Sequence, residues 1–425
     1  MTGTDSPRRV GRDALIIALG YITSFVYPLV ALPYLARVLG VPELGAVMVL
    51  LAVLQVVVHV TDFGFSISSL RRAGLARSVP ERSLVLAETS WAKTLVWAVC
   101  AVPAVVTVLL VPMLQAHLGA MLLGLGLVLV GAWYPGWMLQ ATGRMLAFAL
   151  VMTLSRLLAL VGLLLTVRDP THLDRAVAWQ LAPQALAAVA AWVLIVHVWR
   201  DGRLVRVTRA GVSTALRDSA PLFVSHASVV VAGAASSLSL GALASPSQAA
   251  FHGAAERFGN AVRGVMRGVV DAMLPRMASG PAATTRRFVS FGVLGSYGLA
   301  GGTLVLGSAW VIPWYLGEDM SAAIWPTRLV GIAILLAGIT AVLTLHANAE
   351  HRYGTVARIS GVGAVCAVVL CVPGALWAGA VGVGLALVAA ETLQAALFLL
   401  DRRRRLRPAR TASVTCPPHD QEVSA

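Results

Sequence analysis

The chain has 425 residues, of which 58% are hydrophobic and only 12% are charged, with a net charge of +14. A soluble protein of this size carries roughly a quarter charged residues. Apolar runs of about 18 residues or more recur here along the whole length. These properties exclude a water-soluble globular protein and predict an all-α polytopic membrane protein.

Twelve apolar segments are long enough to cross a bilayer as helices. In chain order they are 13–37, 44–69, 84–110, 118–140, 146–167, 176–198, 219–243, 248–273, 288–310, 324–346, 355–375 and 378–400. Arg8, Arg9 and Arg12 precede the first segment, as in a secretory signal. That segment is too long for a signal and no small-residue cleavage site follows it, so we expect a retained first span.

The basic residues follow the connections between spans. If the N-terminus is cytoplasmic, most Lys and Arg residues fall in cytoplasmic connections. Arg37, Arg168, Arg175 and Arg328 then lie outside. An excess of Lys and Arg in cytoplasmic loops is general among membrane proteins. It explains the charge without nucleic acid and predicts that both termini are cytoplasmic.

The longest cytoplasmic connection, about 199–218, divides six spans from six. We therefore expect a six-helix lobe in 1–210, a second in 211–401 and a basic, disordered tail in 402–425. The tail begins "RRRRLRPAR" and suits either a stop-transfer anchor or binding to anionic lipid headgroups.

The two halves share one weak similarity. "LQATGRMLAFALVMTLSR" at 139–156 resembles "LHANAEHRYGTVARISG" at 345–361. Each segment joins the fourth span of its half to the fifth. This fits an internal duplication with parallel repeats.

Two segments contain glycines at span ends. "WYPGWMLQATGRM" at 133–145 ends the fourth span, where Pro135 and Gly136 predict a kink. "GAVGVG" at 379–384 begins the last span. Small residues there are more typical of close helix packing than of phosphate binding.

The eighth span carries a polar stripe. Its members are Glu256, Asn260, Arg263, Arg267 and Asp271, spaced 4, 3, 4 and 4. This spacing places them on one helix face. An ionisable residue at mid-helix costs roughly 2.5–3.5 kcal/mol on insertion scales, so such a face lines a cavity or the bundle interior. It either borders a water-filled cavity, where Arg263 suits a phosphate oxygen, or forms internal salt bridges.

The second span carries a similar stripe. Its members are Gln55, His59, Asp62, Ser66 and Ser69, spaced 4, 3, 4 and 3. The span holds the equivalent place in the first half, so the two polar faces could oppose each other across a central cavity. Alternatively, Asp62 pairs with Arg71 or Arg72 at the cytoplasmic end.

Further ionisable or polar residues are scattered over other spans. They are Glu88, Lys93 and Trp97 in the third, Arg156 in the fifth, His226 in the seventh and Glu391 in the twelfth. No paired carboxylates, Ser/His/Asp set, phosphate-binding loop or metal-binding Cys/His spacing is present in the sequence. We therefore expect a protein that is not an enzyme and uses no metal or cofactor.

Five segments resemble polysaccharide, or O-antigen, flippases of the multidrug/oligosaccharidyl-lipid/polysaccharide exporter superfamily. They are "GYITSFVYPLVALPYLARVLGVPELGAVMVL" (20–50), "TDFGFSISSLRRA" (61–73), "WYPGWMLQATGRM" (133–145), "AAERFGNAVRGVMRGVVDAMLPRMA" (254–278) and "GAVGVGLALVAAETLQAALFLL" (379–400). In the last of these, Glu391 matches the usual acidic position of the family. The resemblance covers nearly the whole chain.

The resemblance implies a transporter in the bacterial cytoplasmic membrane that moves undecaprenyl-diphosphate-linked oligosaccharides between leaflets. Its two six-helix lobes would form a V-shaped bundle around a cationic cavity. Arg263 and Arg267 would contact phosphate, and Asn260, Gln55 and Trp97 would contact sugar, with Lys93 and Arg156 also lining the cavity. The candidates for coupling to a proton or sodium gradient are Asp62 and Glu256, followed by Asp271, Glu88 and His59. Expected partners are the lipid-linked oligosaccharide, membrane lipids and other polysaccharide-assembly proteins.

Two alternatives remain at this stage. A multidrug and toxin extrusion transporter of the same superfamily would export cations, but buried arginines suit anions better. The acidic residue usual in the first span of those transporters is also absent. A membrane glycan polymerase or ligase is the second alternative, and it usually needs larger loops outside the membrane.

Overall fold

A computed structural model describes residues 7–279, 283–350 and 352–406, with side chains from Val26 onward except at 222, 224–232, 267, 269, 271–286 and 406. Within these ranges the chain forms helices joined by short turns. The helices are α1 (Pro7–Asp62), α2 (Phe65–Leu75), α3 (Val79–Leu110), α4 (Leu118–Ala132), α5 (Gly136–Ala141), α6 (Met145–Thr166), α7 (Leu173–Val193), α8 (Arg209–Leu243), α9 (Pro246–Ser279), α10 (Ala283–Leu316), α11 (Ile324–Ala349) and α12 (Tyr353–Leu406).

These helices account for twelve membrane crossings, as predicted. The helix α1 holds the first two crossings and reverses at Gly40, whose φ of 75° suits glycine. The helix α12 holds the last two and reverses at Gly379, with φ 55°. Among the described residues, eight helical segments are long and apolar enough to cross a membrane, and two of them contain these reversals. The helices α8 and α9, at 35 and 34 residues, are also long enough to cross.

Two of the crossings are interrupted. The second breaks between α1 and α2 at Phe63 and Gly64, which have φ values of 45° and 80°. The fourth breaks between α4 and α5, where the predicted kink is confirmed at Pro135 and Gly136. An added Cβ at Gly136 would overlap the ring of Tyr134, so the turn has no room for a larger residue.

The connections define two faces of the bundle. The odd-loop face carries residues 40, 111–117, 167–172, 244–245, 317–323 and 378–379. The even-loop face carries residues 76–78, 142–144 and 199–208 and the connection between α11 and α12. Most of the arginines in the described connections lie on the even-loop face, which agrees with the charge pattern of the sequence.

The helices α1 and α9 of the two lobes pack together near the odd-loop face and separate toward the other face, where α8 of the second lobe still packs against α2 and α3. An added Cβ at Gly45 of α1 would overlap the carbonyl oxygen of Pro246 in α9, and Gly253 lies against Met48. Both lobes contribute to the largest buried apolar cluster. Further along the same helices, Gln55, His59 and Asn260 are exposed. The bundle is therefore a V in which α1 and α9 meet near the odd-loop face and leave a gap between them toward the even-loop face.

In each lobe, the turn between the fourth and fifth spans is stabilised by the same pair of contacts. The backbone N–H of Arg144 donates to the carbonyl of Leu139 over 2.8 Å, and that of Arg352 donates to Ala347 over 2.8 Å. Each arginine side chain then forms an ion pair at the end of the sixth span of its lobe. These pairs are Arg144 with Asp201 and Arg352 with Asp401. The repeated geometry supports the duplication inferred from sequence.

The glycine-rich start of the last span serves helix packing. The backbones of Gly374 and Gly382, on the two arms of α12, are in contact, and Gly384 lies against Leu329. The backbone N–H of Ala380 donates to Gln248 Oε1 over 2.8 Å. The small residues therefore allow close approach of helices, as the sequence predicted.

Replacement of Gly382 by valine is expected to destabilise the protein by about 1–3 kcal/mol, because the new side chain would overlap the backbone of Gly374. Gly361→Val is the matched control, since an added Cβ at Gly361 of the same helix meets nothing within 4 Å. Thermal unfolding in detergent should show a lower midpoint for Gly382→Val alone. Equal midpoints for the two variants would contradict the packing assignment.

Candidate functional site

The polar face of α1 forms one side of the opening between the lobes. Gln55 and His59 are exposed there, and His59 Nδ1 lies 2.7 Å from the backbone oxygen of Gln55. Asp62 accepts hydrogen bonds from Lys93 Nζ over 3.0 Å and from Ser66 Oγ over 2.7 Å. The ion-pair partner of Asp62 is therefore Lys93 of α3, and the suggested pairing with Arg71 or Arg72 is wrong.

Glu88 lies in a separate buried cluster. Its carboxylate is paired with Arg72 of α2, and its side chain is only 5% exposed. Gly211 of α8 packs directly over this carboxylate. Ser69 and Thr89 share a hydrogen bond of 2.8 Å beside it. The cluster ties α2, α3 and α8 together, and the charge of Glu88 is already balanced by Arg72.

Trp97 and Arg156 lie in the packed body of the first lobe. The indole N–H of Trp97 donates to the carbonyl of Leu125 over 3.1 Å, and its ring packs against the main apolar cluster. Arg156 is half-buried and lies within electrostatic reach of Tyr134. No described contact brings either residue to α9. A role for them in sugar or phosphate binding stays a prediction.

The polar face of α9 contains an internal ion pair. Arg263 Nη2 donates to Glu256, seven residues earlier, and to Asn260 Oδ1 over 3.2 Å. Glu391 of α12, which accepts a 3.4 Å hydrogen bond from Thr340, also lies within electrostatic reach of Arg263. Arg263 therefore has carboxylate neighbours within its own lobe. The positions of Arg267 and Asp271 continue this helix, but their side chains lie outside the described residues.

Arg257 stands next to this stripe, and sequence reasoning did not select it. Its Nη1 donates to Gln180 Oε1 of α7 over 3.3 Å, and Tyr27 of α1 lies within electrostatic reach. Tyr27 in turn donates to the carbonyl of Trp179 over 2.6 Å. Among the described residues, no carboxylate lies within 4.0 Å of Arg257. This guanidinium therefore bridges the two lobes, and no carboxylate among the described side chains balances its charge.

The spacing of the polar stripe does not select Arg257, because this residue follows Glu256 directly. One residue along a helix is a rotation of about 100°, which takes Arg257 off the face defined by the 4, 3, 4, 4 spacing. The sequence feature that could have identified Arg257 is an arginine in the middle of a membrane span. An intramembrane arginine is by default a functional candidate, because its insertion is expensive.

His252 is a second buried group that the sequence reading did not select. It lies one turn before Glu256, is 0% exposed, and neither ring nitrogen has a hydrogen-bond partner among the described residues. Both Glu256 and Arg263 are within its electrostatic reach. The second lobe thus holds a titratable pair, His252 and Glu256, close to the closed end of the V.

The arrangement combines a guanidinium between the lobes, which no described carboxylate balances, with polar side chains nearer the gap between α1 and α9. Arginine forms paired, charge-assisted hydrogen bonds with phosphate oxygens. Gln55, His59 and Asn260 offer donors and acceptors suited to hydroxyl groups. Such a cleft can hold an anionic headgroup that carries sugars.

This two-lobed bundle of twelve helices is the fold of the exporters of the multidrug/oligosaccharidyl-lipid/polysaccharide superfamily. The chain is similar to the lipid II flippase MurJ in its inward closed conformation, with a TM-score of 0.73 and 14% identity, over 92% of this chain and 87% of that one. It is also similar to an inward-facing multidrug resistance MATE family transporter, with a TM-score of 0.60 and 13% identity, over 92% and 94% of the two chains.

The sequence comparisons define the family more closely. The family described as "Polysaccharide biosynthesis protein" matches residues 10–280. Because this match exceeds half of the chain, the protein belongs to that family. Two curated relatives named "Putative O-antigen transporter" are 23% identical in Escherichia coli (strain K12) and 21% identical in Shigella dysenteriae, each over 63% of this chain. The matched region spans 65% of the Escherichia coli relative and 67% of the Shigella one.

Proposed function

We propose that this protein is a flippase that translocates undecaprenyl-diphosphate-linked oligosaccharide units across the bacterial cytoplasmic membrane for cell-surface polysaccharide synthesis. The observation that carries the proposal is Arg257, a cation held between the lobes by contact with Gln180 and balanced by no described carboxylate. A diphosphate supplies the anionic partner that the described protein residues do not. The family match and the O-antigen transporter relatives support the same substrate class.

The proposed mechanism is alternating access by rocking of the two lobes. The gap between α1 and α9 would admit the headgroup from the even-loop side once the contacts of α8 with α2 and α3 part. The basic connections on that face favour a cytoplasmic location and cytoplasmic termini. Separation of the contacts between α1 and α9 would then release it on the other side. The lipid tail can remain in the bilayer throughout, because only the polar headgroup requires the cleft.

Coupling to an ion gradient is proposed to involve Glu256 and His252. The acidic candidates with described side chains all have basic partners, and only Glu256 also lies beside a buried histidine. Glu256 balances Arg263 and lies one turn from a buried histidine without a hydrogen-bond partner among the described residues. A proton taken up by this pair would change the charge near the closed end of the V.

Cells that lack the protein distinguish the candidate functions. A missing flippase is expected to leave single lipid-linked repeat units facing the cytoplasm, whereas a missing polymerase leaves single units on the outer surface. Protection of the lipid-linked units from an added membrane-impermeant glycosidase reports the side on which they lie. Single units exposed outside would overturn the proposal.

Reconstituted protein tests the remaining alternative. Proteoliposomes that contain the pure protein are expected to translocate a lipid-linked oligosaccharide and not to accumulate an organic cation. Export of an organic cation without translocation of the lipid-linked sugar would instead assign the protein to multidrug extrusion. Arg257, which no described carboxylate balances, argues against that outcome, because it would repel a cationic ligand.

A further inference from the structure

A groove of about 660 Å³ lies on the flank of the first lobe, between α3, α4 and α7. Trp91, Trp133 and Trp192 line it together with aliphatic residues, and Arg203 borders it in the connection from α7 to α8. Trp91 is 46% exposed, whereas Lys93, two residues further along α3, is buried against Asp62. The groove therefore lies on the bilayer side of α3, away from the cleft between the lobes.

The tryptophans form a fixed apolar wall. The indole N–H of Trp133 donates to Thr94 Oγ1 over 2.9 Å, and that of Trp192 donates to the carbonyl of Trp133 over 2.8 Å. Their ring centroids are 5.9 Å apart, and the Trp91 ring meets Trp133 edge-on at 6.2 Å. Since both indole donors are used within the wall, the ring faces remain for a ligand. The groove thus suits a hydrocarbon chain.

The connection after α7 holds Arg203 in place at the groove. The helix ends in one turn of π-helix at Leu194–Val198, a geometry found frequently at functional sites. Asp201 is bound by Arg82 over 3.4 Å and by Arg144. The backbone N–H of Arg203 donates to Ser83 Oγ over 3.0 Å. The backbone at Arg203 is thus anchored to α3 directly at Ser83 and, through Asp201, at Arg82.

The Arg203 guanidinium is available to a ligand. The residue is exposed, and among the described residues no carboxylate lies within 4.0 Å of it. Arg200 and Arg206 in the same connection add positive charge. Each basic residue close to an anionic membrane surface contributes attraction for acidic lipids. The charge beside the groove therefore complements a phosphate group.

We propose that the groove binds one acyl chain of an anionic glycerophospholipid, with the phosphate held by Arg203. Its volume lies within the roughly 300–1,000 Å³ typical of small-molecule sites. The prenyl tail of a transported lipid is a poorer occupant, because it must leave with its headgroup, whereas this groove lies beside Arg203 of the even-loop face and away from the cleft. The site holds a resident lipid of the leaflet next to the even-loop face.

Photo-crosslinking in proteoliposomes of the full chain tests the proposal. The probes are phosphatidylglycerol and phosphatidylcholine that carry the same diazirine-labelled acyl chain. Labelled peptides from α3, α4 and α7 are expected, with about fivefold more labelling by phosphatidylglycerol, which corresponds to about 1 kcal/mol. Arg203→Gln should remove most of the preference for phosphatidylglycerol, and the control Arg206→Gln should remove much less of it.

A second variant tests the groove itself. Val189 lines it and is 56% exposed, so Val189→Trp fills the space without burial in the core. This change should remove labelling of α3, α4 and α7 by both lipids while membrane insertion is retained. Equal labelling by the two lipids in the unmodified protein would overturn the proposal. So would labelling that Val189→Trp does not affect, or displacement of the probe by undecaprenyl phosphate alone.

Discussion

Arg257→Ala is expected to reduce translocation of the lipid-linked oligosaccharide by roughly 10- to 150-fold at limiting substrate. A hydrogen bond to a charged group contributes about 1.5–3 kcal/mol, and Arg257 is the cation that no described carboxylate balances. Arg257→Lys should retain part of the activity, because it keeps the charge but loses the paired geometry of the guanidinium. Initial rates in proteoliposomes measure the effect.

Arg263→Ala tests whether the headgroup binds at Arg257 or at the polar stripe of α9 that the sequence suggested. Arg263 is paired with Glu256 within its own helix, so its loss is expected to lower the rate less than the loss of Arg257. Both variants should reach the membrane in normal amounts. If Arg257→Ala transports at the unmodified rate while Arg263→Ala is inactive, the stripe on α9 binds the headgroup and Arg257 does not.

Gly45→Ala is expected to shift the protein away from the state that is closed at the odd-loop face. The added methyl group would overlap the carbonyl oxygen of Pro246, and a backbone atom cannot rotate aside as a side chain can. Overpacking costs about 1–3 kcal/mol, which corresponds to a population shift of roughly 5- to 150-fold. A state in which α1 and α9 have separated would not bear this cost.

Spin labels at Pro42 and Ser245, which are both exposed on the odd-loop face, report the separation. Double electron–electron resonance should show longer distances for Gly45→Ala. Gly126→Ala in α4 is the control, because an added Cβ there meets nothing within 4 Å. A distance distribution unchanged by Gly45→Ala would show that this contact does not determine which face is closed.

The fold could be predicted from sequence because its main determinant is local. Each span needs only a sufficiently long apolar run, and the twelve runs found in the sequence lie in helices apart from the breaks at 63–64 and 133–135. The break at Pro135 and Gly136 was predicted for the same reason, since proline restricts its own backbone and the preceding residue. Because each half contains an even number of spans, the two halves are expected to have the same orientation in the membrane.

The site was less predictable because helical periodicity identifies a face and not the helix opposite it. Asp62 meets Lys93, which lies 31 positions away on another helix. Arg257 meets Gln180 across the two lobes, 77 positions away. The close approach of Gly45 to Pro246 likewise involves both lobes. Such contacts depend on how the helices assemble, which apolar length alone does not specify.

The paired turns, Arg144 with Asp201 and Arg352 with Asp401, bear on the origin of the protein. Each ion pair lies wholly within one lobe, so each six-helix unit fastens its own fourth, fifth and sixth spans without help from the other. A chain of six such helices could serve as one subunit of a symmetric dimer. Gene fusion through a connection like 199–208 would then join two subunits of the same orientation. On this view, the cleft descends from a dimer interface, and its unequal charges on α1 and α9 arose after the two copies became free to diverge.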